Sequence, residues 1–558
     1  MKHKTKRKKI ISAKLYNMEE VSLKGFCDFC KNNIPLIISV SLTLFFVYGI
    51  KLFSVSIGDD TNLFMADKAG QLQWNIRIGR FGFTLLSVLW HIKEFNPYTA
   101  FFLTFCLIWF FTISWCYIIA IFSGDSGKNN KLIPFALLFM SSTVFAEQLN
   151  FTLQAAENAL IISLCPYIVY LLFKGFLDNE KSKIICAAFL LVFIISVYQT
   201  IVLLFCCTVF ICFILLSERT DYEPKIYNKL CLGIFLVLLG SLAVYFFIDR
   251  IIIPALFDIE RSAYLDNLFE WGSRNPIENI FSILIFGYVI TIGQIPIIQD
   301  IVVNQIITHI PFHYPGIANT IQIGSRTLGN VLLLPATILF LKRICGSMRK
   351  MLAPGRRLLY VLAGIGIPFS IMLLVFTGGN WPPVRSLYAL PLASAFIFFY
   401  LIRAYKKKAA VIAACLTLLI AFHQIQITSQ LLYSDYVRYN DDVRLSYELD
   451  RLIMQVQPVD RFLPVVIVGS YHTGSYFHNN FLQSELLGTS LYEKTINNNP
   501  LLTTRQVLAL MTTLGINYPF PNMAQIEFAY REAASMPVYP YSGCVKRARD
   551  FIVVKLPE

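Results

Sequence analysis

The chain has 558 residues, of which 56% are hydrophobic and only 15% charged, and its mean hydropathy is +0.59. Soluble domains carry about 25% charged residues, so this composition excludes a water-soluble globular protein and requires a lipid environment. The net charge of +14 does not point to nucleic acid. The basic residues cluster at Lys2 to Lys14, at Lys342 to Arg357 and at Arg403 to Lys408, each beside a long apolar run, with no basic stripe of interleaved aromatics. That is the distribution of cytoplasmic loops in a multi-pass membrane protein, with anionic lipid as the basic clusters' partner.

The basic segment 1–33 precedes the first apolar run and carries Glu19, Glu20 and Asp28, unlike a cleaved leader. Cys27 and Cys30 form one CxxC, but a zinc site needs a second pair of ligands and none stands near. A crossing needs about 20 apolar residues. Runs of that kind begin near Ile34, Tyr98, Leu132, Asn158, Ile184, Thr200, Leu232, Thr327, Leu358, Leu387 and Ala409. They predict an α-helical polytopic domain over 34–425 with about eleven crossings. The N-terminus is then cytoplasmic and the part beyond 425 extracytoplasmic. The stretch 248–326 fits a re-entrant hairpin, interfacial helices or two crossings equally well.

The first outer loop, 58–97, concentrates chemistry. Asp59 and Asp60 stand where the first crossing leaves the bilayer. Adjacent carboxylates raise one another's pKa, which suits a general base near neutral pH; capping the next helix is the plainer alternative. Trp74, Arg77 and Arg80 follow, the arginines three apart on one helical turn, with no acid within a turn. Guanidinium groups bind phosphate with a planar donor fork. The apolar segment Phe81 to Trp90 then suits the membrane interface.

The second outer loop offers Glu147, Gln154 and Glu157, with Glu147 and Gln154 spaced to share a helical face. They can bind sugar hydroxyls or simply meet solvent. The third turn offers Tyr198 and Gln199 at the bilayer surface. A later outer loop, stiffened by Pro382 and Pro383, presents Trp381 and Arg385, and Arg326 starts another outer segment. Either arginine can meet an anion or snorkel to headgroups.

The tail, 426–558, opens with a charged amphipathic helix over Ser434 to Met454. A buried-strand pattern follows at Leu463 to Gly469, then a helix near Thr504 to Thr513 and a last strand over Phe551 to Leu556. This predicts a small α/β domain. His472 and His478 lie near serines there, but no nucleophile elbow accompanies them.

The Asp59-Asp60 pair, Trp74 with Gly79-Arg80, the Tyr198-Gln199 turn, and Pro382 to Arg385 before Ala389 to Pro391 follow one another in a specific order. They are joined by Ser434 to Arg438 with Asp441-Asp442, Met536 to Pro540 with Gly543 to Val545, and Val553 to Leu556. Together they resemble the GtrII-type O-antigen glucosyltransferase family within the GT-C membrane glycosyltransferases. The resemblance implies sugar transfer on the outer face of the bacterial inner membrane, from a polyprenyl-phosphate glucose donor to a lipid-linked O-antigen acceptor. It implies Asp59 or Asp60 as the base and Arg80, with Arg77 or Arg385, as the holder of the donor phosphate. Trp74, Glu147, Gln154, Glu157, Tyr198, Gln199 and Trp381 are the expected sugar and acceptor contacts. No cofactor is implied, and a divalent metal is neither required nor excluded. A flippase or a polymerase of lipid-linked glycans is the competing reading, although no inverted repeat of the transporter kind is visible.

Overall fold

The computed structural model describes residues 19–557 apart from 55, 91–94, 126, 220–223, 263–268, 272–274, 307–316, 350–353, 459–461, 473–480 and 494–499. The side chains of a few residues within its helices, Asp59 and Asp60 among them, also lie outside the described residues.

The architecture is a bundle of apolar helices carrying a small α/β unit. Six described helices are long and apolar enough to cross a membrane: Pro97–Ser123, Thr152–Asp178, Ile201–Arg219, Lys225–Phe257, Gly355–Gly378 and Lys407–Met454. Two bent pairs add to them, Leu23–Asn32 with Ile34–Tyr48 at 88° and Leu132–Met140 with Thr143–Leu149 at 44°. Every apolar run of the sequence has become a helix, but not every helix has full length. Lys181–Val197, Leu333–Met348 and Ala389–Ala404 have 17, 16 and 16 residues. At about 1.5 Å per residue they reach roughly 24–26 Å, short of the roughly 30 Å hydrocarbon core. The run expected from Thr327 starts later, because Ile317–Thr327 is a separate amphipathic helix. Among the described residues of 248–326 the longest apolar helix is Pro276–Thr291, started by Asn275, whose side chain accepts from the Ile277 N–H, and by Pro276 in its first turn.

The tail is continuous with the bundle. The last apolar run and the charged helix expected from Ser434 are one 48-residue helix, Lys407–Met454, because no glycine or proline interrupts it. It is about 72 Å long, more than twice the hydrocarbon thickness, so its charged half must stand outside the lipid. The sheet has the order β1-β3-β2, with β1 Val465–Val468, β2 Val545–Ala548 and β3 Phe551–Lys555. β1 runs parallel to β3, pairing Val466 with Val553, and β2 runs antiparallel to it. Side chains alternate between faces. Val465, Ile467, Ile552 and Val554 pack on Leu445, Leu449 and Ile453 of the long helix and on Val507, Leu508 and Met511 of helix Pro500–Thr513. Val466, Val468 and Val553 pack on Ile526, Ala529 and Ala533 of helix Met523–Ala533.

Candidate functional site

The described residues of the loop 58–97, expected on the outer face, fold into the helices Asp59–Ala66, Lys68–Arg77 and Phe81–Trp90. Asp67 starts the second by accepting from the Gly70 N–H at 2.9 Å and is held by Arg505 of the tail at 2.9 Å. The second and third helices are separated by a turn at Gly79, whose φ is +78°, a left-handed conformation that favours glycine. A Cβ there would lie 2.5 Å from the Tyr245 hydroxyl. This turn overrides the expectation that Arg77 and Arg80 share a helical face. Arg77 ends its helix and is exposed, whereas Arg80, three residues on, is turned inward.

Arg80 reaches two segments that are distant in sequence. Its guanidinium lies 4.5 Å from the centre of the buried Tyr198 ring, and its Nη1 donates to Gln154 Oε1 at 3.3 Å. Tyr198 packs on Tyr388 with ring centres 5.5 Å apart, and the Tyr388 hydroxyl donates to Asn158 at 3.0 Å. Among the described residues no carboxylate pairs with Arg80, and its Nε is buried without a hydrogen-bond partner. An arginine placed on an aromatic face beside a neutral amide keeps its charge available for an anion.

Gln199 has a different role. Its amide donates to the Ile78 carbonyl at 2.9 Å and to the Tyr245 hydroxyl at 3.1 Å, and Tyr245 donates to the Gly79 carbonyl at 3.0 Å. It therefore fixes the turn that aims Arg80.

The second outer loop divides between two environments, because its helix breaks at Asn150 and Phe151, between Thr143–Leu149 and Thr152–Asp178. Glu147 and Gln154 consequently do not share one helix. Gln154 meets Arg80, while Glu147 is buried and accepts from the Leu486 and Leu487 N–H groups of the tail at 3.2–3.4 Å. Glu157 is buried one turn below Gln154. Thr61, in the first turn of the Asp59–Ala66 helix, accepts from the Leu153 N–H at 3.2 Å, so that helix begins beside the residue preceding Gln154. The backbone thus brings Asp59 and Asp60 to the same loop that holds Arg80; their side chains lie outside the described residues.

Arg385 occupies the other side of this loop. It lies 5.2 Å from the Phe151 ring centre and is paired with Glu485 of the tail, whose carboxylate also accepts from the Val384 N–H at 2.5 Å. Trp381 packs edge-on against Phe286, ring centres 5.2 Å apart, and Trp74 is partly exposed. Arg326 is exposed. His472 pairs with Glu493 at 3.0 Å, and His478 lies outside the described residues. Among the described residues no three His, Cys, Asp or Glu side chains converge as metal ligands would.

A buried ionic network beneath the tail was not legible in the sequence. Asp435 accepts from Lys51 at 2.9 Å, from Ser56 at 2.6 Å and from Arg438 at 2.6 Å. Lys51 also donates to Asn150 at 2.8 Å. Arg438 continues to Asp442 at 3.2 Å, and Asp442 accepts from Ser490 at 2.5 Å and from the Leu491 N–H at 3.1 Å. All four ionic groups are at most 7% exposed. Only the spacing of Asp435, Arg438 and Asp442 by three and four residues hinted at one helical face. The partner Lys51 lies 384 residues away. The network ties the exit of the first crossing, the end of the second outer loop and the tail segment 482–491 into one piece. Below it, a cavity of about 250 Å³ is lined by Leu138, Thr143, Leu390, Leu416, His423 and Gln424 among others.

The structure is thus a helical membrane protein in which Arg80, Tyr198, Tyr388 and Gln154 meet at one set of interhelical loops. The chain belongs to the GtrII glucosyl transferase family, whose model matches residues 49–402. It is therefore a membrane glycosyltransferase. The match includes the first outer loop, Tyr198 and Arg385 and stops before the long helix, leaving the tail outside it. No curated relative matches the chain.

Proposed function

We propose that the protein transfers a sugar, glucose in the first instance, from a polyprenyl-phosphate donor to a lipid-linked O-antigen or similar surface glycan at the outer face of the bacterial inner membrane. The observation that carries this reading is Arg80, stacked on Tyr198 and bonded to Gln154, with no carboxylate partner among the described residues. A phosphate leaving group gains negative charge as the glycosidic bond breaks, and a pre-positioned guanidinium stabilises that charge without reorganisation. Asp59 or Asp60 deprotonates the acceptor hydroxyl. Support for this assignment is the start of their helix beside Leu153, one residue from the amide that holds Arg80.

The bundle is of the GT-C kind, with the basic loops inside and the tail outside. The tail covers the second outer loop through Glu147 and contributes to acceptor binding. Trp74, exposed at the loop surface, stacks on a sugar ring, and the apolar cavity under the loops offers room for part of an isoprenoid chain.

The test is transfer of label from polyprenyl-phosphate glucose to glycan in membranes expressing the chain, with Asp59→Asn and Asp60→Asn alongside. Transfer abolished by one substitution, with normal insertion, supports the reading and identifies the base. Absence of transfer from several polyprenyl-linked sugars, together with altered glycan export or chain length, would overturn it in favour of transport or polymerisation.

A further inference from the structure

Arg80 and Arg385 flank the second outer loop but differ in how their charge is met. Arg80 faces a ring and an amide. Arg385 is met by a carboxylate that the tail delivers, and the same carboxylate takes the Val384 backbone N–H through its other oxygen. A guanidinium and an adjacent backbone N–H converging on two oxygens of one anion is the donor set that phosphate esters use.

The turn Val384–Ser386 supplies these donors from the membrane bundle, held in shape by the Ser386 N–H donating to the Pro383 carbonyl at 2.9 Å and the Leu387 N–H donating to the Val384 carbonyl at 3.1 Å. The anion is supplied by a different part of the chain. Glu485 lies in the segment 482–491, which is anchored independently of it by the Leu482 N–H on Ser434 at 3.0 Å, by Leu486 and Leu487 on Glu147, and by Ser490 and Leu491 on Asp442. The segment has enough other attachments to stay seated when Glu485 lets go. Glu485 also sits one residue from the N–H that holds Glu147, so two carboxylates lie close together and repel. Arg385 and Glu485 keep 20% and 27% of their side-chain surface exposed, so solutes reach the pair.

We propose that Val384 and Arg385 form a second anion site, for a phosphate or pyrophosphate ester, and that Glu485 is its built-in competitor, filling the site until the ligand's phosphate displaces it. The proposal rests on the glycosyltransferase reading for the identity of the ligand, but the anion site stands on its own geometry. Because a bound phosphate must displace the carboxylate, Glu485 sets the affinity of the site downward and favours ligands of higher charge.

Glu485→Gln keeps the size of the side chain and removes its charge. The ion pair with the arginine is then replaced by a hydrogen bond from the guanidinium to an uncharged amide oxygen, which corresponds to about a fivefold weaker competitor. The probe is inorganic pyrophosphate, read as the midpoint concentration for thermal stabilisation of the purified full chain in detergent. In this measurement all proteins carry Arg80→Gln, which removes the other phosphate-binding arginine; the expected result is a midpoint about fivefold lower with Glu485→Gln than with Glu485 intact, and no saturable stabilisation with Arg385→Gln/Glu485→Gln. In transfer assays, KM for the lipid-phosphate substrate falls in Glu485→Gln with kcat retained.

Pyrophosphate that stabilises neither protein, or stabilises both with the same midpoint, overturns the proposal, as does a Glu485→Gln variant whose kcat falls with KM unchanged, the signature of a strut. Lack of transfer in the wild type with the pyrophosphate result as expected overturns the functional reading alone.

Discussion

Replacing Asp435 by Asn tests whether the buried network holds the tail on the membrane bundle. Asp435 is fully buried and takes Lys51, Ser56 and Arg438 on its two oxygens. Removing one member of a buried ion pair costs about 3–5 kcal/mol, because the partner is left charged and poorly compensated. Lys51 keeps Asn150, and Arg438 keeps Asp442, which argues for the lower end, about 3 kcal/mol. At roughly 1.4 kcal/mol per factor of ten, the ratio of docked to undocked tail falls on the order of 100-fold. Limited proteolysis of the protein in native membranes measures this directly, as cleavage within the tail or at the segment 482–491. Lys51→Met/Asp435→Leu removes both charges, leaves Arg438 paired with Asp442, and is expected to recover at least half of the lost protection, since well-packed apolar replacements of buried pairs are often neutral. Unchanged proteolysis in Asp435→Asn, or a double variant as labile as the single one, would refute the reasoning.

Arg80→Lys keeps the charge but loses the planar fork and its stacking on Tyr198. A drop in kcat/KM of about 30- to 150-fold is expected in the labelled-sugar assay, in line with roughly 2–3 kcal/mol for a charge-assisted contact. Tyr198→Phe retains the ring face and is expected to stay within about twofold of wild type, whereas Tyr198→Leu loses about 1 kcal/mol of cation–π attraction and falls roughly fivefold in kcat/KM. Gly79→Ala forces a side chain into a left-handed position and against the Tyr245 hydroxyl. It is expected to cost about 1–2 kcal/mol locally, read as faster proteolysis of the first outer loop together with lower activity, while Gln199→Glu tests the same turn by removing the amide donors to Ile78 and Tyr245.

The apolar helices were legible because lipid imposes a simple code of long apolar runs. The strands β1 and β3 were legible because both are buried on two faces and read as continuous Val/Ile runs. β2 was not, since Val545–Ala548 is mostly exposed and interrupted by Lys546 and Arg547, and helix Met523–Ala533 was hidden by its mixed composition despite the capping box at Asn522 and Gln525. The local geometry of the candidate residues was not legible. Spacing arguments assume an unbroken helix, and two breaks, at Gly79 and at Asn150, separate Arg77 from Arg80 and Glu147 from Gln154. Partners such as Glu485 for Arg385, 100 residues apart, and Lys51 for Asp435 are tertiary facts that no local pattern encodes.

The 48-residue helix gives the protein a lever. Its apolar half lies in the lipid and its charged half carries the tail, with no glycine or proline between them to absorb bending. Tilting it by about 10° swings an outer arm of about 27 residues, roughly 40 Å, through about 7 Å at its tip. Helices adjust tilt to the thickness of the surrounding bilayer. Any change in its tilt would therefore be passed, through Asp435 and Asp442, to the segment 482–491 that sits over Glu147 and Arg385.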